Sequence, residues 1–89
     1  MKALRPATQF RRDLRRAAKR GKSLDKLEAV LATLARGEPL AARHRVHRLR
    51  GDHEGLWECH IEPDWLLIWE ETDDAIHLAR CGSHADLSE

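Results

Sequence analysis

The spacing of apolar residues changes period near residue 40, which limits the chain to a helical first half packed on a stranded second half. Phe10, Leu14, Ala17 and Ala18 recur at i, i+4, i+7 and i+8, one stripe of a helix. Thr8 offers a hydroxyl suited to the N-cap, and Gly21 stands where the helix should stop. Leu24, Leu27, Val30, Leu31 and Leu34 make a second stripe, with Ser23 as its cap and Asp25 placed against the positive helix end. Gly37 and Pro39 close it. The short separation predicts an antiparallel helical hairpin. Both stripes need an apolar surface to cover, and nothing in the first forty residues supplies one.

The second half does. Trp57, Cys59 and Ile61 alternate with Leu56, Glu58, His60 and Glu62, the period of a strand. Pro63 and Asp64 punctuate, and Trp65 to Trp69 is the continuous apolar run of a central strand. A turn at Thr72 to Asp74 leads to another strand, Ala75 to Cys81, ended by Gly82. Shorter strands are expected around Arg45 to Leu49, before a turn at Gly51, and at Met1 to Leu4, where Pro6 breaks the pattern. The predicted fold is α+β. An N-terminal antiparallel helical hairpin packs on one face of a small twisted, mostly antiparallel sheet of three or four strands, as a single domain over residues 1–89.

A hydrophobic content of 42% is too high for a disordered chain. No apolar run approaches the roughly 20 residues of a membrane span, and Met1 to Gln9 lacks the apolar core of a signal peptide. A cytoplasmic protein without membrane contact is expected. Cys59 and Cys81 have no CxxC spacing and read as small buried residues. The net charge of +1 conceals a segregation. Residues 1–50 hold 15 Lys and Arg against 4 Asp and Glu; residues 51–89 hold 1 against 11. The basic half suits a polyanion, but charge alone leaves open a set of solvated helix faces pairing with the acidic half.

His47, His60 and His84 stand at or near the ends of different strands, with Asp64 in the turn between two of them. The parity of His60 opposes Trp57, Cys59 and Ile61, so it should face away from the helices, on an open, concave sheet face where the three histidines and Asp64 are expected to converge. Neutral imidazole accepts a proton and imidazolium donates one near neutral pH. Phosphodiester transesterification needs both steps, a base for the 2′-hydroxyl and an acid for the leaving 5′-oxygen, plus a cation for the phosphoryl charge. Arg80 and the basic half carry such cations. Most histidines in a short chain are surface or hydrogen-bonded residues, and His44, His53 and His77 are read that way. A zinc site from His44, His47 and His53 or His60 has no matching spacing. No metal and no cofactor is expected.

The strings HRLRG at 47–51, ECHIEPDWLLIW at 58–69 and RCGSHADL at 80–87 occur in this order, after TQFRRDLRRAAKRGKSLDKL at 8–27. Together they resemble the YafQ branch of the RelE toxin superfamily along nearly the whole chain. The resemblance implies the fold derived above and a ribosome-dependent mRNA endonuclease restrained by a cognate antitoxin. It implies catalytic roles for His47, His60, Asp64 and His84, and substrate-binding roles for Trp65 and Arg80, the latter at the scissile phosphate. For Trp65 an ordinary place in the core is an equal alternative. The partners implied are mRNA, rRNA of the ribosomal A site and the antitoxin, with Arg11, Arg12, Arg15, Arg16, Lys19, Arg20 and Lys22 docking on rRNA. One position departs: the family often carries an aromatic residue after G-S/T-H-x-x-L, and here it is Ser88. Two rival readings are a non-catalytic RNA- or protein-binding module of the same fold and a gyrase-targeting ParE-like toxin, a branch that generally lacks this histidine set.

Overall fold

A computed structural model describes residues 1–51 and 54–88. In chain order it contains β1 (Ala3–Pro6), α1 (Thr8–Lys19), α2 (Leu24–Ala35), a 3-10 turn (Ala42–His44), β2 (His47–Arg48), β3 (Leu56–Glu62), β4 (Trp65–Glu71), β5 (Ala75–Gly82) and α3 (His84–Leu87). The sheet order is β1-β5-β4-β3-β2. All neighbours are antiparallel except β1 and β5, which run parallel. The α+β expectation therefore holds, with five strands instead of three or four. The leading strand lies two residues later than expected and reaches Pro6, which an edge strand tolerates because a missing N–H there costs no ladder bond.

The helix ends follow backbone chemistry more than side-chain caps. Ala7, not Thr8, is the N-cap of α1, and Thr8 is its first helical residue. Ser23 does cap α2, with no side-chain hydrogen bond, and Asp25 lies in its first turn. Gly21 ends α1 as predicted: its φ of 78° lets Lys22 N–H reach back to Ala17 O at 3.1 Å.

The core lies between the hairpin and one sheet face. Phe10, Ala17, Leu27, Val30 and Leu34 from the helices meet Cys59, Ile61, Trp65, Leu67, Trp69, Ile76, Leu78 and Cys81 from the strands. Trp57 stacks on Trp69 with ring centroids 6.5 Å apart. The predicted parity of β3 is what the structure shows, Cys59 and Ile61 inward and His60 on the other face. Both cysteines are fully buried and unbridged. Burial pushes the Cys59 thiol up to about 12, with Glu58 adding to it, and that of Cys81 to about 11, with Asp13 adding to it. They act as small apolar groups. Among the described residues no helix is long and apolar enough to cross a membrane.

Leu67, fully buried on the central strand β4, sits at the middle of this core. Leu67→Ala is expected to lower stability by about 2–5 kcal/mol, read as a lower urea midpoint at unchanged slope. A loss below about 1 kcal/mol would show that the centre of packing lies elsewhere.

Candidate active site

Strand register builds the site. On the face away from the hairpin, His47 lies opposite Glu58, Glu58 opposite Ile68, and Ile68 opposite Arg80. The next row holds His60, Leu66 and Gly82. Between Leu78, paired with Trp69, and Arg80, paired with Ile68, Ala79 has no partner. This bulge lets Leu78 and Cys81 both enter the core while Arg80 joins the outer row.

The turn from β3 to β4 orients two imidazoles at once. Pro63 O accepts a hydrogen bond from His60 Nδ1 at 3.1 Å. A carbonyl only accepts, so His60 donates from Nδ1, and among the described residues its Nε2 has no hydrogen bond. Asp64, the next residue, accepts from both His84 N–H at 2.9 Å and His84 Nδ1 at 2.6 Å through the same oxygen. The His84 backbone N–H, and then its ring, hold the Asp64 carboxyl below its ordinary range. His84 opens α3, whose start is fixed by a capping box: Ser83 Oγ accepts from Asp86 N–H at 3.0 Å and Asp86 Oδ2 accepts from Ser83 N–H at 2.9 Å. The two rings end up with centroids 5.7 Å apart.

The other expected site residues sit further out. His47 donates from Nδ1 to Arg45 O at 2.8 Å and pairs through Nε2 with Glu58 Oε1 at 3.1 Å. A carbonyl and a carboxylate thus flank its two ring nitrogens. Arg80 is held by Asp13, with Nε at 2.8 Å and Nη2 at 3.3 Å. Trp65 is 1% exposed and belongs to the core, the alternative place expected for it. Lys22 lies over its ring at 5.7 Å. The basic residues of the hairpin divide into two groups. Arg16 bonds Asp13, Arg20 bonds Asp86 twice, and Lys22 bonds Glu62. Arg11, Arg12, Arg15 and Lys19 are exposed, with no ion partner among the described residues. Ser88 ends α3 in a left-handed conformation. His53 lies outside the described residues. His44 is buried and donates from Nδ1 to His60 O at 2.7 Å, a structural role as read from the sequence. Among the described residues no group of three or more His, Cys, Asp or Glu is placed to hold a metal.

Two acids that sequence reasoning passed over organise these cations. Glu58, 5% exposed, faces His47. Asp13, with a fully buried side chain, accepts from Arg80, Arg16, Gln9 and the Cys81 N–H. The signal for Asp13 was present: it is the one acid of α1, and it falls between Phe10 and Ala17 on the apolar stripe. Burial pushes its carboxyl up, but the hydrogen bonds from Arg80, Gln9 and Cys81 outweigh this and leave it lowered.

A family model described as the bacterial toxin of the type II toxin–antitoxin system, YafQ, matches residues 2–89. The mRNA interferase toxin YafQ of Escherichia coli K12 is 38% identical over 80 residues, covering 89% of this chain and 87% of that protein. The crystal structure of the E. coli DinJ–YafQ toxin–antitoxin complex is similar at 34% identity with a TM-score of 0.91, over 99% of this chain and 98% of that one. That of a metal-bound toxin from Helicobacter pylori is similar at 34% identity with a TM-score of 0.92, over 98% and 99%.

The burial of Asp13 makes a prediction about pH. Its carboxyl titrates lower when folded than when unfolded, so its contribution is complete above the unfolded value of about 3.9 and fades as pH falls through the folded one. Asp13→Asn is expected to lose about 3–5 kcal/mol at pH 7, with the gap to wild type narrowing in acid. Urea midpoints at pH 7 and pH 3 test this. An equal gap at both would show that the carboxylate charge is not what stabilises the junction.

Proposed function

This chain belongs to the YafQ family of bacterial type II toxins, and we propose that residues 1–89 act as one toxin domain cutting mRNA in the ribosomal A site by 2′-hydroxyl transesterification. Membership makes it an mRNA interferase, an endoribonuclease. The observation that carries the mechanism is the pair of imidazoles 5.7 Å apart, each with Nδ1 committed to an acceptor.

His60 Nε2 takes the proton of the 2′-hydroxyl, and O2′ attacks phosphorus. The P–O5′ bond breaks, and O5′ takes a proton from His84 Nε2. The products are a 2′,3′-cyclic phosphate and a 5′-hydroxyl. The assignment of acid and base follows from Asp64: a carboxylate 2.6 Å from His84 Nδ1 stabilises the positive charge that ring carries when Nε2 is protonated. His60 has a neutral carbonyl there instead. Arg80 keeps Nη1, which Asp13 does not engage, for the charge that grows on the phosphoryl oxygens. His47, the remaining histidine of the set, lies in the neighbouring row beside Glu58. The imidazole pair supplies both proton transfers, so this path requires no metal.

The E. coli relative assembles with an antitoxin, and the same restraint is proposed here, in a cytoplasmic setting. The exposed Arg11, Arg12, Arg15 and Lys19 are read as the rRNA-docking face, with Arg16, Arg20 and Lys22 committed largely to internal partners.

His60→Ala and His84→Ala are each expected to slow single-turnover cleavage on programmed ribosomes by about 10²–10⁴, with folding intact. Wild-type rates in both variants, or a product ending in a 3′-hydroxyl, would overturn the mechanism. Reversal of Arg11, Arg12 and Arg15 to Glu is expected to weaken ribosome co-sedimentation and flatten its log–log salt dependence by roughly 0.7–0.9 per lost contact. Equal slopes would reduce these residues to a solvated face.

A further inference from the structure

A second set of unpaired cations borders His60 on the side away from β5. The 3-10 turn at Ala42–His44 packs on β3, pinned by the 2.7 Å hydrogen bond from buried His44 to His60 O. It carries Arg43 and is closed by Arg45 at its C-cap, both exposed and without an ion partner among the described residues. With His60, Ile61, Glu62 and Pro63 they line a cleft of about 370 Å³. Glu62, the one carboxylate in its wall, is already bonded by Lys26 at 2.8 Å and Lys22 at 3.0 Å, which hold its carboxyl low. The two arginines therefore face the cleft uncompensated.

Arg45 adds an independent observation. It is left-handed, φ 48° and ψ 50°, a conformation that crowds a side-chain-bearing residue. The same sharp turn aims its carbonyl at His47 Nδ1, 2.8 Å away. Strain, a buried histidine anchor and free guanidinium groups coincide one step from a proposed catalytic ring.

We propose that Arg43 and Arg45 form a phosphate subsite for single-stranded RNA beside His60. The proposal rests on the assignment of His60 as base and makes its position specific. The base acts on the nucleotide that supplies the 2′-hydroxyl. A cleft on the far side of His60 from His84 then receives the phosphate immediately 5′ of that nucleotide, and its arginines fix the backbone while the imidazoles work on the next phosphate.

The test uses the full chain and short single-stranded RNAs blocked by 2′-O-methyl at the cleavage position. Each carries one neutral methylphosphonate in place of one phosphate. Binding is measured across a salt series for wild type and for the double variant Arg43→Gln, Arg45→Asn, in which Asn tolerates the left-handed backbone. Wild type is expected to bind more weakly when the 5′-adjacent phosphate is neutral. The double variant should be indifferent to that position and show a salt slope flatter by roughly 0.7 per lost contact. Matching thermal midpoints would show that both proteins are folded. A methylphosphonate penalty that persists in the variant, none in wild type, or no binding by wild type at low salt overturns the subsite. Unchanged RNA binding with weakened capture of an acidic antitoxin would make the patch a protein-docking surface and also overturn it. Failure of the acid–base reading appears separately, as full cleavage rates in His60→Ala.

Discussion

One carboxylate, Asp13, sets the joint on which the site depends. It has no exposed side-chain surface, yet it carries charge into the junction of α1 and β5. Desolvation alone would drive it neutral; four donor groups surround it instead. One of these is the Cys81 N–H, just past the bulge that turns Arg80 outward. A single acid thus fastens the first helix to the last strand and holds the guanidinium beside the sheet face on which the histidines lie. Without it, Arg80 would be a free side chain on β5, with many conformations to lose on meeting a phosphate.

The charge segregation of the chain resolves in the same way. The two halves interlock: Lys2 meets Glu71, Arg20 meets Asp86, and Lys22 and Lys26 share Glu62. Exposed pairs of this kind add little stability. What they do is dispose of acid near the site. Asp86, held well below its ordinary range by Arg20 and then by the Ser83 N–H, also caps the helix that presents His84. Cations without an ion partner among the described residues include Arg11, Arg12, Arg15 and Lys19 on α1 and Arg43 and Arg45 at the 3-10 turn and its C-cap, and these carry positive charge to spare. Net charge near zero and a strongly directed field are compatible because the compensation is local.

Periodicity made the fold legible where each element could be judged alone. The stripe of α2, the alternation of β3 and the outward parity of His60 follow from local spacing, and the helical hairpin needs only Gly21 between its two stripes. The parallel pairing of β1 with β5 was not legible, because it joins segments about seventy residues apart and an edge strand four residues long has almost no pattern. Within the site, motif order and residue chemistry singled out the histidines and Asp64, and strand parity led to the expectation that they converge on one sheet face. Their individual partners were not legible. That His84 pairs with Asp64, while His47 goes to Glu58 and Arg80 to Asp13, depends on strand register and on one bulge, which spacing along the chain does not encode.

Aromatic surface bears on how the substrate is aligned. The chain contains four aromatic residues, Phe10, Trp57, Trp65 and Trp69. Phe10, Trp65 and Trp69 are at most 2% exposed. Trp57 is half-buried, stacked on Trp69 and covered by Arg48 with its guanidinium 4.7 Å from the ring. Ser88 adds none after α3. Nucleases that act on free RNA commonly hold bases by stacking, worth about 1–3 kcal/mol per base, and that contribution is missing around His60 and His84. Imidazoles and guanidinium groups supply proton transfer and phosphate contacts, which fix the backbone but do not choose a base. A site of this composition needs its substrate already ordered, with the 2′-hydroxyl in line with the leaving oxygen. Under the mechanism proposed above, mRNA held in a decoding site arrives in that state, so the ribosome aligns the substrate while this chain contributes two proton transfers and a grip on phosphate.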